Sequence, residues 1–216
     1  MPTVQGTDDF GHGTVTAPPY DFVFGVPTII TSPVYPNGGV KTLSVVTTGG
    51  NIGVRYNITG TPARGWNGFA FRLTADWVQT QFATIGALAG NGPRLAINVS
   101  RQLYGFFTGG GAASTPSATL DLDTWYWIEM IANMNPTTRT CNWQLNGSDM
   151  GSFSKSGETA STAEMSQLLS YSGDPTGGTL LFGYWEWGLA ANDTDWLGEP
   201  AAPSAEQTFM PIRRRG

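Results

Sequence analysis

The stretch that decides the fold is Leu122–Met130, which reads LDTWYWIEM. Successive side chains of an extended strand point to opposite faces, so Trp125 and Trp127 share one face. Ile128 and Met130 share the other, and both faces are therefore apolar. A strand of a sandwich normally leaves one face in water. Something must cover the second face here, and the candidates are an arm of the same chain, a neighbouring subunit and a ligand.

Short segments in which apolar and polar residues alternate recur on both sides of this stretch. Gly, Pro, Asn and Asp residues separate them, which is typical of antiparallel strands joined by turns. Asn146-Gly147 predicts a tight hairpin, because the favoured two-residue turn needs positive φ at both positions. The pattern predicts an all-β fold in which two antiparallel sheets stack face to face as a sandwich. The predicted strand segments are residues 43–45, 54–58, 69–73, 95–99, 103–107, 126–132, 141–145 and 180–184.

One segment departs from the alternating pattern. Ser161 followed by Glu164 forms a capping box. Met165, Leu168 and Leu169 then follow at helical spacing. We therefore predict one short helix that lies across the sandwich before the last strands.

The two ends of the chain are rich in Gly and Pro, which weaken strand pairing. We predict an extended N-terminal arm over residues 1–26, a sandwich domain over residues 27–199 and an extended C-terminal arm with a basic end over residues 200–216. The first residues lack the basic and apolar regions of a secretory signal, so we expect synthesis in a cytoplasm without a signal peptide.

The charge balance excludes several classes of partner. The chain has 11 Lys and Arg against 16 Asp and Glu, and its formal net charge of -5 argues against nucleic acid. No stretch is long and apolar enough for membrane insertion. Cys141 is the only cysteine, so no intrachain disulfide can form, and we predict that it is a small buried hydrophobe.

The sequence argues against catalysis. A retaining glucanase on a fold of this kind needs two close carboxylates, and the string Glu-x-Asp-x-x-Glu that would offer them from one strand is absent. Glu129 is the best remaining candidate, but no acidic residue lies two or four positions away, and Glu186 is similarly isolated between two tryptophans. His12 is the only histidine, and we predict that it is a surface turn residue. We therefore predict neither an enzyme nor a cofactor.

Two tight pairs of carboxylates are candidates for a calcium site. Asp121 lies close to Asp123, and Asp193 lies close to Asp195. Calcium needs several oxygen ligands, and loop capping explains these pairs at least as well. We therefore predict no metal site.

Two motifs carry a resemblance to a known family. The step at Leu122–Met130 and the run Trp143–Gly147 (WQLNG) resemble the concanavalin A-like, laminin-G-like jelly rolls. More narrowly, the run from Gly39–Leu43 through Phe69–Arg72 to Gly183 is similar to standalone laminin-G-like proteins of tailed bacteriophages. The resemblance covers roughly residues 27–199 and implies a concanavalin A-like jelly-roll sandwich.

This resemblance implies a structural protein on the surface of a phage virion, either a minor tail protein or a capsid decoration protein. The expected partners are other capsid or tail proteins and copies of the chain itself. The C-terminal arm combines an apolar cluster with a basic end, which suits docking on an acidic neighbour. The candidate anchoring residues are Phe209, Ile212, Arg213, Arg214 and Arg215.

The alternative hypothesis is a lectin-like adhesion module that binds a cell-surface glycan. Tryptophan rings suit sites with one apolar face and one wet edge, which occur in subunit contacts and in sugar stacking. The candidate residues for either contact are Trp125, Trp127, Trp185 and Trp187. Burial within the chain is the third interpretation. The lectin-like hypothesis predicts that Trp185 or Trp187 stacks on a sugar ring, and finding both rings buried would remove it in that form.

Overall fold

The computed structural model describes residues 1–15, 20–48, 52–60, 63–75, 83–88, 92–107, 113–134, 137–158, 165–170 and 176–201. Within these ranges, all regular secondary structure is β-strand. The strands are β1 (Thr3–Asp8), β2 (Phe22–Phe24), β3 (Thr28–Ile30), β4 (Thr42–Thr48), β5 (Ile52–Asn57), β6 (Arg64–Leu73), β7 (Ala83–Leu88), β8 (Pro93–Ile97), β9 (Leu103–Phe107), β10 (Trp125–Asn133), β11 (Arg139–Leu145), β12 (Ser148–Lys155), β13 (Met165–Ser170) and β14 (Thr176–Leu189).

These strands form two antiparallel sheets. The larger sheet has the order β12-β11-β10-β6-β14-β4-β3, and β1 joins it by pairing with β14. The smaller sheet has the order β2-β5-β13-β7-β8-β9. The strand segments predicted from alternation are confirmed as β4, β5, β6, β8, β9, β10, β11 and β14.

The core lies between the two sheets. Phe69 and Ile128 of the larger sheet and Val54 and Leu95 of the smaller sheet are fully buried in it. Burying one such side chain stabilises a fold by about 1.5–3 kcal/mol. Cys141 is buried in the same core as predicted, and burial raises the pKa of its thiol.

The predicted Asn-Gly hairpin is confirmed. Leu145 at the end of β11 pairs with Ser148 at the start of β12. Asn146 and Gly147 between them have φ angles of 50° and 74°. Asn and Gly tolerate this left-handed region, which is why the pair predicts the turn.

Other parts of the same chain cover the second face of β10. The ring of Trp127 is buried and stacks on the ring of Tyr35, with the centroids 6.4 Å apart. On the same face, Glu129 Oε1 accepts hydrogen bonds from Leu197 N at 3.0 Å and from Gly198 N at 3.1 Å. The chain itself therefore supplies the cover, but from residues 35 and 197–198 of the predicted sandwich domain and not from a terminal arm.

The prediction of a short helix is wrong. Met165, Leu168 and Leu169 lie on β13, which pairs with β5 along its whole length. Leu168 is buried in the core between the sheets. Strand pairing and burial outweigh the helical spacing of the apolar residues, which is a weak signal over so few residues. Ser161 and Glu164, the predicted capping box, lie outside the described residues.

The segment predicted as an N-terminal arm contributes two strands to the sandwich. β1 pairs with residues 185–189 of β14, and β2 pairs with β5. Backbone ladders need no alternation of side chains, which explains why the sequence of β1 carries no strand pattern. Of the predicted C-terminal arm, only residues 200 and 201 are described. The described residues include no helix with the length and hydropathy of a membrane span.

Candidate functional site

Two strands of the larger sheet, β4 and β1, pair in succession with one edge of β14, and we call the place between them the seam. β4 pairs with this edge as far as Phe182, which lies opposite Leu43. β1 pairs with the same edge only from Trp185 onward, where Asp8 lies opposite. A register shift between Phe182 and Tyr184 bends β14 at this point. A pocket of about 530 Å³ opens at the seam, and we call it the seam pocket; it is lined by Thr7, Asp8, Asp9, His12, Gly38, Tyr56 and Tyr184.

Asp8 is a buried carboxylate held by three groups. Oδ1 accepts a hydrogen bond from Phe10 N at 2.7 Å, and Oδ2 accepts one from Tyr56 Oη at 3.3 Å. His12 Nε2 lies 3.3 Å from Oδ1. These contacts fix the orientation of the carboxylate in the wall of the seam pocket.

Asp9 connects two backbone segments beside the seam pocket, residues 9–11 and residues 40–41. Its carbonyl oxygen accepts hydrogen bonds from Val40 N at 3.1 Å and from Lys41 N at 3.0 Å. Its Oδ1 accepts a hydrogen bond from Gly11 N at 2.8 Å. Among the described residues, no donor reaches its other carboxylate oxygen, Oδ2. The side chain is half-buried, so this oxygen is an acceptor available to a ligand.

His12 is held as one tautomer. Its Nδ1 accepts a hydrogen bond from Thr14 N at 3.3 Å, so Nδ1 carries no proton. The proton of the neutral ring therefore lies on Nε2, which faces Asp8 and lies 3.2 Å from Tyr20 Oη. In this tautomer, Nε2 donates toward the carboxylate of Asp8.

Three tyrosines at the seam pocket have raised pKa values. Burial raises the pKa of Tyr20 and of Tyr56, and the charge of Asp8 raises both further. Burial also raises the pKa of Tyr184, and its hydrogen bond to Glu186 adds to the effect. All three phenols keep their protons at neutral pH and remain hydrogen-bond donors.

A second, smaller hollow lies elsewhere on the surface, with a volume of about 160 Å³. Ligand pockets usually have volumes of about 300–1,000 Å³, so this hollow is small for a ligand site. It is lined by Asn142, Asp149, Gly151, Ser152, Thr194 and Trp196.

Two glutamates flank Gly68 on the outer face of the larger sheet. Glu129 pairs with Gly68 from β10, and Glu186 pairs with it from β14. Glu129 is 0% exposed, and its Oε1 also accepts a hydrogen bond from Trp66 Nε1 at 3.2 Å. The rings of Trp66 and Trp127 fill the space above Gly68. Glu129, the best catalytic candidate from the sequence, is therefore a buried acceptor for structural donors.

We expect Glu186→Gln to stabilise the fold at neutral pH. Burial raises the pKa of Glu186, its bond from Tyr184 lowers it, and the charge of Glu129 raises it. Because the folded-state pKa exceeds the ordinary value of 4.5, the ionised carboxylate weakens the fold above that range. The glutamine keeps the acceptor for Tyr184, so the gain should be below about 1 kcal/mol.

Urea unfolding of both proteins at neutral and acidic pH measures this effect. The advantage of the variant should shrink as the pH falls through the raised pKa and vanish below 4.5. An advantage of equal size at both pH values would contradict the explanation.

The four candidate tryptophans lie in two separate places. Trp185 is 0% and Trp187 7% exposed, and both point into the core between the sheets, where Tyr56 packs against them. Trp127 is buried on the outer face of the larger sheet, and Trp125 is half-buried beside it. The burial of Trp185 and Trp187 leaves neither ring free to stack on a sugar.

One aspartate of each candidate calcium pair binds an arginine. Asp123 binds Arg72 Nη2 at 2.8 Å, and Asp193 binds Arg64 Nε at 2.7 Å. Within the described ranges, no group of three His, Cys, Asp or Glu side chains is arranged to hold a metal ion. The candidate anchoring residues lie outside the described residues; they are Phe209, Ile212, Arg213, Arg214 and Arg215.

The sequence analysis missed the seam pocket. His12 lies in an exposed turn, as predicted, but its ring also reaches into the pocket, where Nε2 lies 3.3 Å from Asp8 Oδ1. The local signal was a lone histidine close to two consecutive aspartates, Asp8 and Asp9. That signal has meaning only once β1 is known to pair with β14.

The comparisons with known proteins identify the fold. No protein-family model matches the sequence, and no curated protein matches it significantly. Among solved structures, the chain is similar to the cellulose-induced protein Cip1, with a TM-score of 0.59 and 15% identity over 87% of this chain and 98% of that one. It is also similar to the binding domain of Paraclostridial Mosquitocidal Protein 1, with a TM-score of 0.54 and 11% identity over 80% of this chain and 44% of the other.

A third similar structure is the binding domain of Botulinum Neurotoxin DC in complex with SialylT. Its TM-score is 0.53, with 13% identity over 81% of this chain and 44% of the other. The chain thus spans less than half of these last two chains. Identities this low establish the architecture and leave the role to the site. The chain has the two-sheet antiparallel jelly-roll sandwich that these structures share.

Proposed function

We propose that this jelly roll is a lectin-like carbohydrate-binding module and that the seam pocket is its glycan site. The proposal rests on the lining of this pocket, in which Asp8 and Asp9 lie with Tyr56 and Tyr184. The cavity that they enclose has a volume of about 530 Å³. This volume falls within the usual range of about 300–1,000 Å³ for ligand sites.

The lining suits the two kinds of surface that a sugar ring presents. Sugar hydroxyls donate hydrogen bonds, and the free Oδ2 of Asp9 is a charged acceptor of the stronger type. Sugar C–H faces are apolar and pack against aromatic rings, which Tyr184 offers at the wall of the pocket. The turns on both sides are fixed by backbone hydrogen bonds, so the site is preformed.

Two of the similar structures support a binding role by analogy of fold. Both are described as binding domains, and one of them is in complex with SialylT. The same architecture hosts other roles, so the analogy supports the proposal only together with the chemistry of the seam pocket.

We expect the purified chain to bind a subset of glycans on an array, and Asp9→Ala to weaken that binding at least about tenfold. A hydrogen bond to a charged group contributes about 1.5–3 kcal/mol, and 1.4 kcal/mol corresponds to a factor of ten in affinity. Isothermal titration calorimetry with the best glycan from the array measures the change.

The matched control is Asp121→Ala, which removes an exposed carboxylate that is absent from the lining of the seam pocket. This variant should bind as the unchanged chain does. Signals at background for every glycan, or full affinity in Asp9→Ala, would refute the proposal.

The role on a virion surface, expected from the sequence resemblance, stays a prediction. Its anchoring segment, residues 209–215, lies outside the described residues. A glycan-binding jelly roll is compatible with that role, because adhesion to a host surface would use the same pocket.

A further inference from the structure

We infer that the seam pocket prefers sugars without an acidic group over uronic and sialic acids. This inference rests on the proposed function, because it specifies which glycans the same pocket accepts. It follows from the formal charges that face the cavity.

Carboxylates dominate the charge around the seam pocket. Asp8 and Asp9 both line it. A third carboxylate, Glu186, lies directly behind the wall, where its Oε1 accepts a hydrogen bond from Tyr184 Oη at 2.7 Å. A ligand carboxylate placed in the cavity would meet the charges of Asp8 and Asp9 in the lining, with Glu186 behind Tyr184.

The basic side chains near the seam pocket do not offset these charges. His12 lines the pocket, and its Nδ1 accepts a hydrogen bond from Thr14 N. Lys41 Nζ lies against Gly13, and neither residue belongs to the lining. With histidine counted as neutral in the formal charge, the lining carries two negative charges and no positive charge.

The phenols in the wall respond to the same negative field. After burial, the charge of Asp8 is the next cause that raises the pKa of Tyr56. For Tyr184, burial and the bond to Glu186 come first, and the charge of Asp9 raises the pKa further. A negative charge is thus disfavoured at two separate points of the wall, and a bound anion would meet the same repulsion.

The whole chain adds a weaker effect of the same sign. Its formal net charge is -5, so anionic glycans are also repelled before they reach the pocket. This long-range part is screened by salt, whereas the contribution of the pocket itself is screened less.

The test compares three ligands that differ only at one carbon. These are a hexose glycoside, the corresponding uronic acid and the methyl ester of that uronic acid, taken in the gluco, galacto and manno series. Calorimetry on the full chain should give an affinity about tenfold lower for the uronate than for the hexose, while the uncharged ester stays near the hexose. The ester controls for the size of the added group.

A second arm uses Asp9→Asn, which keeps the acceptor for Gly11 N and removes one of the two charges in the lining. The ratio of hexose affinity to uronate affinity should be smaller in this variant than in the unchanged chain. Raising the salt concentration should reduce the ratio by less than the substitution does, because salt screens the charges of the pocket only in part. Asp121→Asn is the matched control and should leave the ratio unchanged, because its exposed carboxylate is outside the lining.

The outcomes separate this inference from the proposed function. If glycans bind but the uronate binds as tightly as the hexose, the inference is wrong and the proposed function stands. A ratio that Asp9→Asn leaves unchanged would also overturn the inference. If no sugar on the array or in the three series binds, both fall.

Discussion

Replacing Gly188 with alanine is expected to lower the free energy of unfolding by about 3 kcal/mol and to abolish glycan binding. A Cβ at Gly188 would stand 2.0 Å from the backbone oxygen of Thr3 and 2.9 Å from Gln5 N. Backbone atoms cannot turn aside as the end of a side chain can, so β1 must move away from β14. Asp8 at the other end of β1 forms the wall of the seam pocket, which would lose its shape.

Urea unfolding gives the change in stability, and hydrogen exchange of the β1 amides reports whether the strand has left the sheet. The control is Val4→Ala, because Val4 lies on β1 directly opposite Gly188. Val4 is 39% exposed, so its truncation should change stability by less than about 0.5 kcal/mol. Protected β1 amides and unchanged stability in Gly188→Ala would show that the close approach is not as tight as described.

The sandwich was predictable from the sequence because most of its central strands are amphipathic. In β11, for example, Cys141 and Trp143 face the core while Asn142 and Gln144 do not, and the strand ends at an Asn-Gly turn. Each of these signals is local, since it needs only neighbouring residues of one strand. Such signals specify which residues face inward whatever the order of strands in the sheet.

β1 and β13 show where local patterns fail. β1 has the sequence TVQGTD and only one apolar side chain, so its place in the sheet depends on its backbone pairing with β14. β13 has apolar residues at helical spacing, yet it lies between β5 and β7. In both cases the neighbouring strands decide the structure, and these neighbours are distant in the sequence.

The seam pocket could not be predicted for the same reason. Asp8 ends β1 and Asp9 follows it, Tyr56 belongs to β5 and Tyr184 to β14, so the pocket exists only through long-range pairing. Trp185 and Trp187 were candidates for a subunit or sugar contact because tryptophan rings suit sites with one apolar face and one wet edge. Their burial against Tyr56 shows that the inner face needed these rings for packing.

Glu129→Ala is expected to lower the free energy of unfolding by about 3–5 kcal/mol. Oε1 of Glu129 is the acceptor for Trp66 Nε1, Leu197 N and Gly198 N, at 3.0–3.2 Å. In the alanine variant all three donors lose this acceptor, beneath the segment at Leu197 and Gly198 that covers β10. Each unsatisfied buried donor costs about 1–3 kcal/mol. Urea unfolding measures the loss, and hydrogen exchange at Leu197 and Gly198 shows whether the covering segment has opened.

Glu129→Gln separates the acceptor from the charge. Its amide oxygen can take the three hydrogen bonds, and its amide nitrogen replaces Oε2, which is buried and has no partner within the described residues. In the part of the chain that the structure describes, the amide N–H groups at that place lack an acceptor, which costs about 1–3 kcal/mol. If the acceptor is what stabilises the fold, glutamine should still cost less than alanine and keep the amides of Leu197 and Gly198 protected. Equal losses in the alanine and glutamine variants would instead assign the stabilisation to the negative charge. In that case the single oxygen shared by three donors would no longer explain why a carboxylate is buried on this face.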